Sequence, residues 1–128
     1  MVELSAAGDR LGGCGRGYDR RMYFAVRLAR GGPWDWSRDM REQAEFEEHA
    51  RIMDAMVADG FIVLGGPLAG DREVLMVVCA DSEQQVRGRL ATDNWVRSGM
   101  LTIASVQAWR VLLDGRVTVS AERQPDVG

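Results

Sequence analysis

Lysine is absent from this chain of 128 residues, whose sixteen basic side chains are all arginine. Without an ε-amine it cannot form a Schiff base, hold pyridoxal phosphate covalently or supply the lysine of a phosphate-binding loop. Histidine occurs once, as His49, and cysteine twice, as Cys14 and Cys79. A single imidazole with no CxxC spacing gives no zinc-type ligand set, and the carboxylates lack the spacing of a calcium loop, so no metal is expected. Cys14 lies in a glycine-rich stretch and Cys79 in an apolar run, which reads as a pair of reduced thiols in a cytoplasmic protein. No apolar run is long enough to span a bilayer, and the first residues carry no continuous hydrophobic segment of a secretion signal. A GxSxG elbow, a glycine-rich dinucleotide fingerprint and a cysteine beside a base are all missing.

What is present is the mixture of one globular domain: 46% hydrophobic and 27% charged residues with a net charge of −3. Basic and acidic residues are interspersed, so nothing marks a surface for nucleic acid. Residues 1–21 hold five glycines and four arginines with little apolar periodicity, and are expected to be a flexible extension, with Met22 a possible alternative start. The fold is assigned to residues 22–114 and a polar tail to residues 115–128.

Within the fold, MYFAVRL from Met22 reads as a strand followed by the turn-rich RGGPWDWS. Asp39 with Glu42 fits a capping box and Gly60 a C-terminal cap, bracketing one helix of about five turns. Its apolar stripe is Phe46, Ala50, Met53, Met56 and Val57, and His49 sits inside that stripe. FIVLGG and REVLMVVCA are joined by PLAGD as an antiparallel hairpin. Ser82 with Gln85 opens a second helix running to about Ala91, Thr92 or Asp93 caps a short turn ending at Gly99, and a last strand runs from about Thr102 to Leu113. The order β-α-β-β-α-β predicts a ferredoxin-like α+β sandwich, a four-stranded antiparallel sheet with helices on one face. VLMVVCA is apolar on both faces, which implies a homodimer whose second subunit covers the open side of the sheet.

His49 is the first candidate for chemistry, because imidazole is the side chain that changes protonation near neutral pH and this one lies on the sheet-facing stripe. The alternative is a structural histidine with its hydrogen bonds satisfied. Asp93 is either its carboxylate partner or only a helix cap. Gly66 and Pro67, in GGPL, allow close approach of backbone to a ligand, or form only a turn. Trp36 and Trp95, with Trp34, could wall a pocket for a planar molecule or serve as lids over the core. Arg41, with Arg38, could bind a carboxylate or pair with Glu42 and Glu45.

Taken together, MYFAVRL, EEHARIMDAMVADG with its histidine, FIVLGGPL, EVLMVVCADS and DNWVRSGM resemble the YciI-related (YCII) family of the dimeric α+β barrel superfamily over about residues 22–113. The resemblance implies a ferredoxin-like subunit, a homodimer with sheets back to back, and a cleft holding a His and Asp pair, which map to His49 and Asp93. Asn94 stands where the family usually has proline, and Phe46 where a basic residue often precedes the histidine. One family member acts as a dehydrochlorinase on a chlorinated hydroxymuconate, and the superfamily also holds muconolactone isomerases, cofactor-free monooxygenases and haem-binding proteins. The expectation is a cofactor-independent enzyme using His49 and Asp93 for acid–base chemistry on a small unsaturated or aromatic acid or ketone, with Trp36, Arg41, Gly66, Pro67 and Trp95 as binding residues. The alternatives are a non-catalytic ligand-binding or regulatory module and a cofactor-free monooxygenase.

Overall fold

The computed structural model describes Cys14 and residues 21–116. The expected flexible extension and the end of the polar tail therefore lie outside the described residues, Cys14 and Arg21 to Arg116 apart. Four strands, β1 (Met22–Arg30), β2 (Ile62–Pro67), β3 (Glu73–Ala80) and β4 (Leu101–Trp109), form one antiparallel sheet in the order β2-β3-β1-β4. Helices α1 (Phe46–Ala58), α2 (Glu83–Leu90) and α3 (Asn94–Ser98) complete the α+β, ferredoxin-like arrangement. Among the described residues no helix is long and apolar enough to cross a membrane.

Period-two alternation sorts the central strands. Phe24, Val26 and Leu28 of β1 and Met76, Val78 and Ala80 of β3 join Val86 and Leu90 of α2, Trp95 of α3 and Leu101 of β4 in the main core. Removing side chains of this size from water contributes about 1.5–3 kcal/mol each, which makes this layer the main source of stability.

Helix α1 is built from good helix formers without internal Gly or Pro and stops where Gly60 takes a φ of 89°. Beyond it, the amide of Phe61 donates to Asp59 Oδ1 at 3.0 Å and Arg89 of α2 donates to Oδ2 at 2.7 Å. The Phe61 amide holds the Asp59 carboxyl below the ordinary aspartate range, with burial opposing and Arg89 assisting. Ser82 caps α2 as expected, accepting from the amide of Gln85.

Three expectations need correction. The five-turn helix from Asp39 is broken: a 3-10 turn covers Met40–Glu42, Asp39 makes no side-chain cap, and α1 begins only at Phe46 after Glu45 in the left-handed region at φ 62°. The cause is Gln43, a buried amide whose Nε2 donates to the carbonyls of Asp35 and Arg38 while its Oε1 accepts from the amide of Asp35. Those bonds hold the loop against the helix start, and they are stronger than local helix propensity. Strand β4 ends at Trp109 rather than Leu113, because its partner β1 ends there: Tyr23 faces Trp109 and only Met22 remains before it.

The thiols, finally, are not free. Cys14 and Cys79 are joined in a disulfide across 65 residues, with Cα atoms 5.9 Å apart. Spacing rules register only nearby cysteines, whereas the chain returns Cys14 to the sheet face opposite the helices. There Cys14 and Val63 pack on a second cluster of Tyr23, Val77 and Val111, so part of the face expected to be bare is covered by this chain itself.

Closing a loop of that length is worth up to about 4 kcal/mol in the chain-entropy account. Cys14→Ser is expected to lower unfolding free energy by ~2–4 kcal/mol in urea without reductant, and thiol titration of the unfolded, unreduced wild type is expected to find no free thiol from this pair. Two titratable thiols before reduction would refute the pairing.

Candidate functional site

Helix α3 carries the site. Asp93 occupies its N-cap position in extended conformation, but its side chain makes no cap hydrogen bond. The carboxylate is wholly buried, at 0% exposure, and receives Nδ1 of His49 at 2.8 Å on Oδ1 and 3.0 Å on Oδ2. His49 stands in the first turns of α1 and is itself buried. Of the two readings open in the sequence for Asp93, partner or cap, the geometry has the partner. An ionised carboxylate only accepts, so this network assigns the ring proton to Nδ1 and leaves the lone pair of the neutral imidazole on Nε2.

The two residues after Asp93 fix the geometry of the pair. Asn94 Nδ2 donates to the carbonyl of Glu45 at 3.1 Å, and Trp95 Nε1 donates to the carbonyl of Ala44 at 2.9 Å. Both acceptors immediately precede α1, so α3 clamps the start of the helix that bears His49. The buried Trp95 ring also stacks on the imidazole, with centroids 3.9 Å apart and planes at 8°. Trp34 meets Trp95 edge-on at 5.3 Å. Gly32, which reaches Trp34 through a φ of 50°, lies so close to Gly99 that a Cβ there would stand 2.8 Å from the Gly99 carbonyl oxygen. Only glycine lets the loop after β1 pack against the end of α3.

His49 and Trp95 open onto a cavity of about 350 Å³ between α1 and the β2 edge of the sheet. Gly65, Gly66 and Pro67 of β2 form one wall, and most of the remaining lining is Met, Val, Ile and Leu. Three of the large apolar side chains left exposed on the protein, Met40, Val57 and Leu64, line this cavity. Such uncovered apolar surface around a concave site is the usual setting for a ligand with an apolar body. Val57, expected in the buried stripe of α1, is 55% exposed for this reason.

Of the residues singled out from sequence, His49, Asp93, Trp95, Gly66 and Pro67 come together. Trp36 and Arg41 do not. Trp36 is half exposed beneath Arg72, in a groove adjoining the cavity, and Arg41 lies over the Phe46 ring in a separate groove. Arg38 pairs with Asp35. The sequence reading missed Arg30, which lines the cavity from the end of β1. Burial holds its guanidinium below the ordinary arginine value, with the charge of Asp71 opposing. An arginine closing an apolar strand was the only signal available. Among the described residues, no three His, Cys, Asp or Glu side chains converge where they could hold a metal ion.

Removing the carboxylate leaves a buried ring nitrogen without its partner, a loss of about 1–3 kcal/mol. Asp93→Ala is therefore expected to destabilise the protein by that amount in urea unfolding, and Asp93→Asn, whose Oδ1 can still accept from Nδ1, by clearly less. Equal loss in the two variants would mean that the hydrogen bond does not matter to the fold.

No family model matches the chain, and no curated protein matches it in sequence. Among solved structures it is similar to one titled "Structural Genomics, protein YJCS", at 11% identity and a TM-score of 0.45, over 72% of this chain and 99% of that one.

Proposed function

We propose that this protein is a YciI-like, cofactor-independent enzyme that moves protons on a small unsaturated or aromatic acid or ketone. The observation that carries the reading is the buried Asp93 carboxylate on Nδ1 of His49, with the ring at the edge of an apolar cavity. In this reading Nε2 removes a proton from the carbon next to a carbonyl or carboxyl group, giving an enolate-like anion and an imidazolium. Asp93 balances the imidazolium charge, and the face of Trp95 adds to that stabilisation. Return of the proton to a conjugated carbon isomerises a double bond. Departure of a leaving group with its electron pair completes an elimination instead. The apolar walls keep water from the anion.

Proton abstraction is visible before any net reaction is known. Incubated in D₂O with β,γ-unsaturated acids, arylacetic acids and cyclic enones, the wild type is expected to exchange the activated C–H of at least one of them, followed by NMR. His49→Ala is expected to slow that exchange by about 10²–10⁴-fold. Binding without exchange in the wild type would favour the ligand-binding module instead, and oxygen uptake with an electron-rich phenol would favour the monooxygenase.

The homodimer belongs to the same proposal. Trp109 on the outer sheet face and Leu112 and Leu113 just beyond β4 are exposed apolar surface suited to a second copy, beside the part of that face that Cys14 and Val111 cover. Sedimentation equilibrium at micromolar concentration is expected to give twice the 14.2 kDa chain mass; a monomer would remove the dimer from the proposal.

A further inference from the structure

Among the described residues, Arg30 is the one arginine lining the cavity that also holds His49. Its side chain is only 6% exposed. A guanidinium taken this far out of water is costly unless its donors are used, and here they are used incompletely. Nη1 donates to the backbone carbonyl of Asp71 at 2.9 Å, but the Asp71 carboxylate lies 3.8 Å away and is itself mostly exposed. Nε is buried with no hydrogen-bond partner among the described residues. The guanidinium carbon sits 4.2 Å from the Trp34 ring centroid, so the group is held in place by stacking rather than by a complete set of hydrogen bonds.

From Arg30 a continuous series of rings leads to the base: Trp34 under the guanidinium, Trp95 edge-on to Trp34, and His49 stacked on Trp95. The cavity is therefore lined by an incompletely hydrogen-bonded cation and an imidazole held in one frame, with apolar side chains over most of the remaining lining. We propose that Arg30 is the anchor for a substrate carboxylate, and that the ligand is a monocarboxylate with a compact apolar body whose activated C–H faces His49. One cation matches one carboxylate. Arg38 lines not this cavity but the adjoining groove that Arg30 also borders, and Arg41 lies in a separate one, so a second carboxylate inside the cavity itself would meet an apolar wall. The guanidinium fork, with donors at fixed angles, suits the planar carboxylate better than the single oxygen of a ketone. The proposal rests on the reading of this cavity as the site and narrows its acid-or-ketone class to the acid.

The test compares phenylacetate with its neutral isostere phenylacetamide, using calorimetry on the full chain. The wild type is expected to bind the acid at least about tenfold more tightly than the amide. In Arg30→Gln that preference is expected to fall to about one, with amide affinity within about twofold of wild type. Arg30→Lys keeps the charge but loses the fork, and is expected to retain only part of the preference. It also serves if the glutamine variant fails to fold. His49→Ala is expected to keep the preference in full. An acid preference that survives in Arg30→Gln, an amide that binds the wild type as well as the acid, or no Arg30-dependent binding of phenylacetate would each overturn the anchor. C–H exchange reports separately: Arg30-dependent binding without exchange keeps the anchor and defeats the acid–base reading, whereas exchange without acid preference does the reverse.

Discussion

Three consecutive residues, Asp93, Asn94 and Trp95, hold the site together by reaching from one short helix to another segment more than forty positions away. Asn94 and Trp95 take the carbonyls of Glu45 and Ala44, and Asp93 takes the imidazole of His49. The first two contacts define where α1 starts and the third defines how its histidine is turned. A five-residue helix has little stability of its own, so α3 depends on the tertiary contacts it makes. In exchange, the break at Gln43 to Glu45 is stabilised by the Gln43 side chain on loop carbonyls and by Trp95 on the carbonyl of Ala44, which a continuous helix would have used internally.

The same contacts explain why the cavity lies where it does. With α1 shortened at its start, the loop after β1 folds over the helix end, and its Trp34 fills the space between Arg30 and Trp95. On the facing wall, the β2 edge contributes apolar side chains such as Leu64 and, at Gly65 and Gly66, positions without a side chain. An aromatic frame on one side and an apolar strand interrupted by two glycines on the other leave a concave, apolar space with polar groups only at defined points.

Local rules recovered the architecture because its signals are local. Gly60 and Gly99 end their helices with positive φ, Ser82 and Gln85 start one, and the run of Val, Met and Cys in β3 is a central strand. His49 and Asp93 could be nominated, but their contact spans 44 residues and depends on how α1 and α3 pack, which no spacing encodes. The break before Phe46 was hidden because Gln43 reads as an ordinary helical residue until its amide is seen buried among loop carbonyls. Arg30 and the Cys14–Cys79 bond were hidden for a similar reason: each gains its meaning from a neighbour brought by the fold, Trp34 and Asp71 in the first case and the outer sheet face in the second.

The stack of His49 on Trp95 has a further effect. A free histidine side chain samples several rotamers about two bonds, and a base must give up that freedom when its substrate arrives. Here an indole lies flat on the ring face and a carboxylate holds its Nδ1 edge, so both rotations are already restricted in the empty protein. That entropy loss falls on folding, and in the proposed reaction it would not recur with each substrate; the main core supplies the stability that offsets it. The imidazole meets whatever enters the cavity at a set distance and angle, and neither ring face nor Nδ1 edge has to be rearranged first.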